Sequence, residues 1–284
     1  RIGLTCYPTM GGSGVIGNRA FVADRAGASG AGGFAVIDVS DPTRPGLISS
    51  AATAGFAEGL DVLGDKVFVA AAYAGMAVFD AANPLAPTQI AQFDTPGDAE
   101  NVTLAGTRAY VSDYNRGLQI VDVLNPAAPV KLGELSTSGD AFNIQIVSNR
   151  AYVATGIGRA QVVDVDNASA PALISTSLAG KSVHSLQIIG QHAFLADRES
   201  GLLVAELLGF SPVAPSIVEF PTNISATAGR ELVLSVAAEG TPPLSYAWQL
   251  NGTPLTNPTN ITGVNQPHLS FTNLLATNSG NYRV

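Results

Sequence analysis

Apolar and polar residues alternate through this chain in short runs, and one stretch shows the pattern plainly. AENVTLAG alternates with period two, the mark of a half-buried strand. RAYVSDY, rich in β-branched and aromatic residues, predicts a second strand. After the turn residues Asn115, Arg116 and Gly117 comes LQIVDV, a third. NPAAP then breaks the ladder, because proline has no N–H to donate, and KLGELST predicts a fourth strand.

The same text recurs at a fixed step. Asp38, Asp80, Asp122, Asp164 and Glu206 are 42 residues apart each time. Pro42, Pro84 and Pro126 keep that step, as do Pro45, Pro87, Pro129 and Pro171, and Gly33, Gly75, Gly117 and Gly201, with Arg159 in the fourth copy just after Gly158. Phe68, Tyr110, Tyr152 and Phe194 form an aromatic column, with Phe21 five residues early because AGASGAGG lengthens a loop of the first copy. Such a period marks stacked units that cannot bury their apolar faces alone. Four short antiparallel strands per 42-residue unit predict an all-β fold, a β-propeller with at least five blades visible over 1–208.

Each column has a physical reading. Gly64, Gly106 and Gly190 fall between strands one and two, where a tight turn wants positive φ. The aromatics are expected to fill the space between neighbouring blades. The recurring acids precede a proline-bearing turn, where a short carboxylate accepts backbone N–H bonds and ends a strand. Five equivalent acids suit a frame better than a catalytic centre, which needs one asymmetric constellation.

The periodicity stops near Leu208, and 209–216 reads as a proline-bearing linker. From Ile217 to Val284 new strand patterns follow: TAGRELVLSV, GTPPLSYAWQLNG and HLSFTNLLATNSGNYRV. This second module, 217–284, is expected to be a partial sandwich that stops before its last hairpin and exposes an apolar edge.

Composition narrows the function. A net charge of −8 with scattered Lys and Arg makes nucleic acid an unlikely partner. No run of 18 apolar residues offers a membrane span, and no charged-then-apolar leader marks a signal peptide. The chain opens at Arg1, so it reads as a fragment whose targeting signal could lie upstream. The single Cys6 allows neither an internal disulfide nor a paired-cysteine zinc site. A surface of Ala, Gly, Ser, Thr and Asn suits an exported bacterial protein.

Two resemblances follow from these residues. FVAD…GGFAVIDVSDPTRP, YVSDYNRGLQIVDVLNPAAP and FLADRESGLLVAEL resemble the LVIVD repeat, whose units form β-propellers in bacterial and archaeal surface proteins. The fifth copy departs, with Glu206 for Asp and LLGFSP where the Asn-Pro turn belongs. Residues 1–7, RIGLTCY, occupy the register of a fourth strand, so they could close a five-bladed ring; further upstream blades are the other possibility. The second module resembles an immunoglobulin-type sandwich, in which Trp248 takes the core position and Tyr282, in NSGNYRV, the corner position. Both cysteine positions of that family are valine, Val236 and Val284.

No Gly-x-Ser-x-Gly elbow, His-Glu-x-x-His pair or Walker loop is present, and His184, His192 and His268 are isolated, so no catalytic centre, cofactor or metal is expected. The candidates are positional. Loops from strand four into the next blade, and those joining strands two and three, emerge on one face of a propeller. One column there reads Glu58, Glu100, Phe142, His184, and the other loops carry Arg25, Tyr73, Tyr114, Asn115, Arg116, Arg159 and Arg198. Aromatics and arginine are the types that binding hot spots favour. The binding set is Glu58, Tyr73, Glu100, Tyr114, Arg116, Phe142, His184 and Arg198, for a protein or glycan ligand at the cell surface. A bare solvated rim, and calcium at Glu58, Asp98, Glu100 and Asp140, are weighed beside it. A polysaccharide hydrolase or lyase, with Glu58 and Glu100 as its carboxylates, is the alternative function.

Overall fold

The computed structural model describes residues 12–25, 32–157, 160–176, 182–207, 214–219, 224–240, 244–256 and 259–284. Residues 1–7, Cys6, Arg159 and most of LLGFSP lie outside them, and with them the expectation about ring closure. Among the described residues the only helical element is one 3-10 turn, Ala276–Asn278.

Among the described residues nineteen strands make five blades. Blade 1 holds β1 (Ser13–Ile16), β2 (Arg19–Asp24), β3 (Gly33–Asp38) and β4 (Gly46–Ala52). Blade 2 holds β5 (Gly59–Leu63), β6 (Lys66–Ala70), β7 (Met76–Asp80) and β8 (Thr88–Phe93). Blade 3 holds β9 (Asn101–Ala105), β10 (Arg108–Ser112), β11 (Leu118–Asp122) and β12 (Val130–Leu135). Blade 4 holds β13 (Asn143–Val147), β14 (Arg150–Ala154), β15 (Ala160–Asp164) and β16 (Ala172–Thr176). Blade 5 holds β17 (Val183–Ile189), β18 (His192–Asp197) and β19 (Gly201–Glu206). Each blade is an antiparallel meander, and the first strands pack side by side in the order β1, β5, β9, β13, β17.

Register repeats with the sequence. Strands one and two join through two-residue turns whose first residue is left-handed: Gly17, Gly64, Gly106 and Gly190, with φ of 57–58°, and Ser148, with φ of 56°. Where strand three pairs with strand four, a bulge recurs at Val36/Ile37, Val78/Phe79, Ile120/Val121 and Val162/Val163. The acid column does what its spacing predicts. Asp38, Asp80, Asp122 and Asp164 accept the N–H of Ser40, Ala82, Leu124 and Asp166 at 2.8–2.9 Å. A second column, unread in the sequence, follows three residues on: Asp41, Asn83, Asn125 and Asn167 accept the N–H two residues ahead. Two Asx turns in series thus fold each proline-bearing corner.

The aromatic column lies between blades. Phe21 packs among Leu60, Val67, Val69 and Phe79 of blade 2. Phe68 meets Val102, Ala109 and Val111 of blade 3, and Tyr110 meets Ile144, Ala151 and Val153 of blade 4. Tyr152 meets Leu186, Ile188 and Leu195 of blade 5. Each fully buried side chain of this size contributes roughly 1.5–3 kcal/mol, so these interfaces are the core. First strands of adjacent blades also hold one another through side chains. Asp61 Oδ2 accepts the N–H of Leu104 at 2.8 Å, Thr103 Oγ1 donates to Ile144 O at 2.8 Å, and Gln145 Nε2 donates to Ile188 O at 3.2 Å.

The C-terminal module is built from three small sheets, one of them the antiparallel pair Ser216–Glu219 and Ala237–Glu239. Leu232–Ser235, His268–Phe271 and Ile261–Thr262 form one sheet, and Thr253–Pro254, Gln249–Leu250 and Tyr282–Arg283 another. Trp248 is buried with Leu234, Val236, Leu269 and Phe271, and Val284 packs against that cluster. The Trp248 indole donates to Gln266 O at 2.8 Å. The Tyr282 hydroxyl donates to Asn278 O at 2.6 Å, which is the corner bond. A cleft of about 830 Å³ opens beside this core, lined by Trp248, Phe271, Leu274, Tyr282 and Val284. Val233 packs against the blade 1–blade 2 core, and Glu231 pairs with Arg19.

Candidate functional site

The loops named from the sequence are pinned to one another before they carry anything. At the end of the second strand of blades 2, 3 and 4 the chain turns left-handed, at Ala72 (φ 47°), Tyr114 (φ 42°) and Gly156 (φ 53°). Each of these residues forms an isolated bridge to the loop entering the next blade, with Ala99, Ala141 and Val183 respectively. Blade-to-blade backbone bonds of 2.8–3.1 Å therefore fix both loop sets in place. Left-handed backbone costs a residue with a side chain of order 1 kcal/mol, so the surrounding structure holds Ala72 and Tyr114 there.

Two groups of side chains stand on this frame. In the first, Glu58 is buried and its carboxylate meets the Arg25 guanidinium at 3.1 Å. That guanidinium lies 5.5 Å from the Phe56 ring centroid, and Phe56 meets Tyr73 edge-on at 6.2 Å. Tyr73 is 63% exposed and its hydroxyl donates to Ala54 O at 2.9 Å. Phe56 went unremarked in the sequence, although it stands in the column of Asp98 and Asp140, two residues before Glu58.

In the second group, Tyr114 meets Phe142 edge-on at 5.6 Å, and Phe142 stacks on His184 at 4.1 Å. Residues 114, 142 and 184 come from three blades. Phe142 is half-buried, and a side chain at Gly156 would strike its ring. It supports its neighbours more than it offers a surface. A hydrogen bond to Asp140 pushes the Tyr114 phenol pKa up. Burial, then the nearby Arg198, pushes His184 down, so the imidazole is neutral at pH 7. Arg116 and Arg198 are exposed.

Glu100 lies between the groups electrostatically. Burial first, then the charge of Glu58, pushes its carboxyl up to about 7, with Asp98 and Asp140 adding and Arg25 opposing. Burial also raises Glu58, against the pull of Arg25. Deeper in, Asp113 accepts the N–H of Gly97 at 3.0 Å, holding the loop that carries Asp98 and Glu100. Among the described residues no three His, Cys, Asp or Glu side chains converge as metal ligands would. The acids named for calcium share a field without forming a cage.

The architecture defines a class: an all-β repeat protein, propeller blades followed by a sandwich module. The LVIVD repeat family model matches residues 14–53, 54–95, 96–137 and 138–178, more than half of the chain. The chain belongs to that family, and blade 5 continues the same meander beyond the matched residues. An immunoglobulin domain model matches residues 214–284. Comparison with curated proteins gives no match. Among solved structures, the computationally designed Ika8 protein is similar in fold, at 11% identity and a TM-score of 0.53 over 90% of this chain and 80% of that one. The computationally designed Ika4 protein is 12% identical, with a TM-score of 0.47 over 55% of this chain and 94% of that one.

Proposed function

We propose that this is a non-catalytic binding or scaffold protein of the cell surface or exterior, with the propeller's loop face as its binding surface and the sandwich as spacer or adhesive unit. One observation carries the reading. The bridges at Ala72–Ala99, Tyr114–Ala141 and Gly156–Val183 repeat one backbone arrangement in three loops, while the adjoining tips differ: Tyr73, Asn115, Ile157. A rigid frame with unlike tips spends little ordering entropy on association. The ligand is a protein or glycan. The test is a binding screen of the whole chain against glycans and cell-envelope fractions, with and without calcium, beside a variant carrying Tyr114→Ala, Arg116→Ala and His184→Ala. Binding at least tenfold weaker in the variant supports the loop face; unchanged binding removes these residues from it.

The raised Glu100 beside Glu58 favours a second reading, a polysaccharide hydrolase or lyase with Glu100 as the acid. Against it, the two acids stand in one column of adjacent blades, and Arg25 engages Glu58. Glycan turnover that disappears in Glu100→Gln would establish the enzyme; absence of turnover across the same panel would discard it.

A further inference from the structure

The turns between strands one and two form the propeller face opposite the loops, and part of that face is covered. In the sandwich, Val233 stands opposite Ser270 and Ser235 opposite His268. Leu234, Leu269 and Phe271 are buried in the sandwich core. The residues that alternate with them, Val233, Ser235, His268 and Ser270, therefore lie on the outer face of the same sheet. An outer face is ordinarily wet, but Ser270 is only 7% exposed and its hydroxyl has no hydrogen-bond partner.

The propeller is what covers it. A Cβ placed on Gly17, in the turn after β1, would stand 2.4 Å from the Ser270 hydroxyl. One placed on Gly64, in the turn after β5, would stand 4.0 Å from the Ser235 hydroxyl. Val233 packs against the apolar cluster shared by blades 1 and 2, Glu231 pairs with Arg19, and Ala237–Glu239 lies beside β9 of blade 3. The footprint spans three consecutive blades.

The turn column separates backbone demand from docking demand. Gly17, Gly64 and Gly190 all have φ of 58°, and Ser148 adopts the same conformation while carrying a side chain. At Gly190 a Cβ meets nothing within 4 Å, whereas at Gly17 it strikes Ser270. The missing side chain at position 17 is thus what lets the sandwich come this close.

We propose that the outer face of the sandwich sheet is a docking surface for the turn face of blades 1–3, so that the two modules move as one body. The partner of this surface is the chain's own propeller. Ligand then reaches the propeller from the loop side, because the turn side of these blades is occupied by the sandwich.

Small-angle X-ray scattering of the whole chain tests this, with Trp248 fluorescence reporting the sandwich. Gly17→Ala and Gly190→Ala impose the same backbone strain, but only the first drives a methyl group into Ser270. Gly17→Ala is expected to enlarge the radius of gyration and to lower the Trp248 thermal transition by about 4 °C or more. Gly190→Ala is expected to leave the radius of gyration as in the parent. Arg19→Glu and Glu231→Arg should each shift both readouts in the same direction by less, and the double variant, which restores opposite charges, should return toward the parent. A parent-like radius in Gly17→Ala, an equal enlargement in Gly190→Ala, or a double variant no closer to the parent than its singles would overturn the proposal.

Discussion

At the scale of single residues, short carboxylates and amides hold the corners. Removing one, as in Asp122→Ala, leaves the Leu124 N–H without its acceptor. The expected cost is about 1 kcal/mol, read as a lower urea midpoint. Because Asp80 and Asp164 occupy equivalent corners of other blades, their losses should add. Asp61 behaves differently. Burial between inner strands pushes its carboxyl up to about 6, despite the N–H groups of Leu104 and Val62 that favour the anion. The folded form therefore holds a proton that the unfolded chain releases near the ordinary carboxylate value. Stability from this group is full below that value, falls as pH rises toward about 6, and is flat above. The loss is on the order of 2–3 kcal/mol. Denaturant midpoints between pH 4 and 7 should fall for the parent and fall less steeply in Asp61→Asn, which keeps an acceptor for Leu104, the slope that remains belonging to the raised Glu100.

Elements show what the sequence discloses and what it conceals. Strand order, the acid corners and the aromatic seams were legible, because each uses the same residue type every 42 positions. The inner-strand bridges were not. Asp61, Thr103 and Gln145 do one job with three chemistries, as donor or acceptor to a backbone that offers both. The loop frame hid in the same way, since Ala72, Tyr114 and Gly156 share a backbone conformation and nothing else. The aromatic contact of Tyr114 with Phe142 joins two columns read apart in the sequence. Turns give a direct test of conformation against identity. At Gly190 (φ 58°) an added Cβ meets nothing within 4 Å, so Gly190→Ala costs only backbone strain, about 1 kcal/mol. Ser148 already bears that strain at φ 56°. Ser148→Gly is expected to leave the thermal midpoint unchanged or raise it, the opposite sign to Gly190→Ala.

For the whole molecule, the two modules can be followed separately. The chain has one tryptophan, Trp248, buried in the sandwich, so indole fluorescence reports that module while far-UV dichroism is dominated by the propeller strands. Tyr282→Phe removes the hydroxyl bond to Asn278 O and should lower the fluorescence transition by about 1 kcal/mol, leaving the dichroism transition in place. Reductant should move neither, since Val236 and Val284 fill the sandwich without a covalent link.

The likeness of successive blade interfaces reaches beyond a single folded chain. Because successive blade interfaces are built from the same columns, an in-phase duplication of 42 codons would insert a unit whose faces carry the kinds of residue its neighbours already pack against. Recombination between repeats, more than stepwise substitution, is then the natural way for such genes to grow or shrink, with new loop tips free to diverge afterwards.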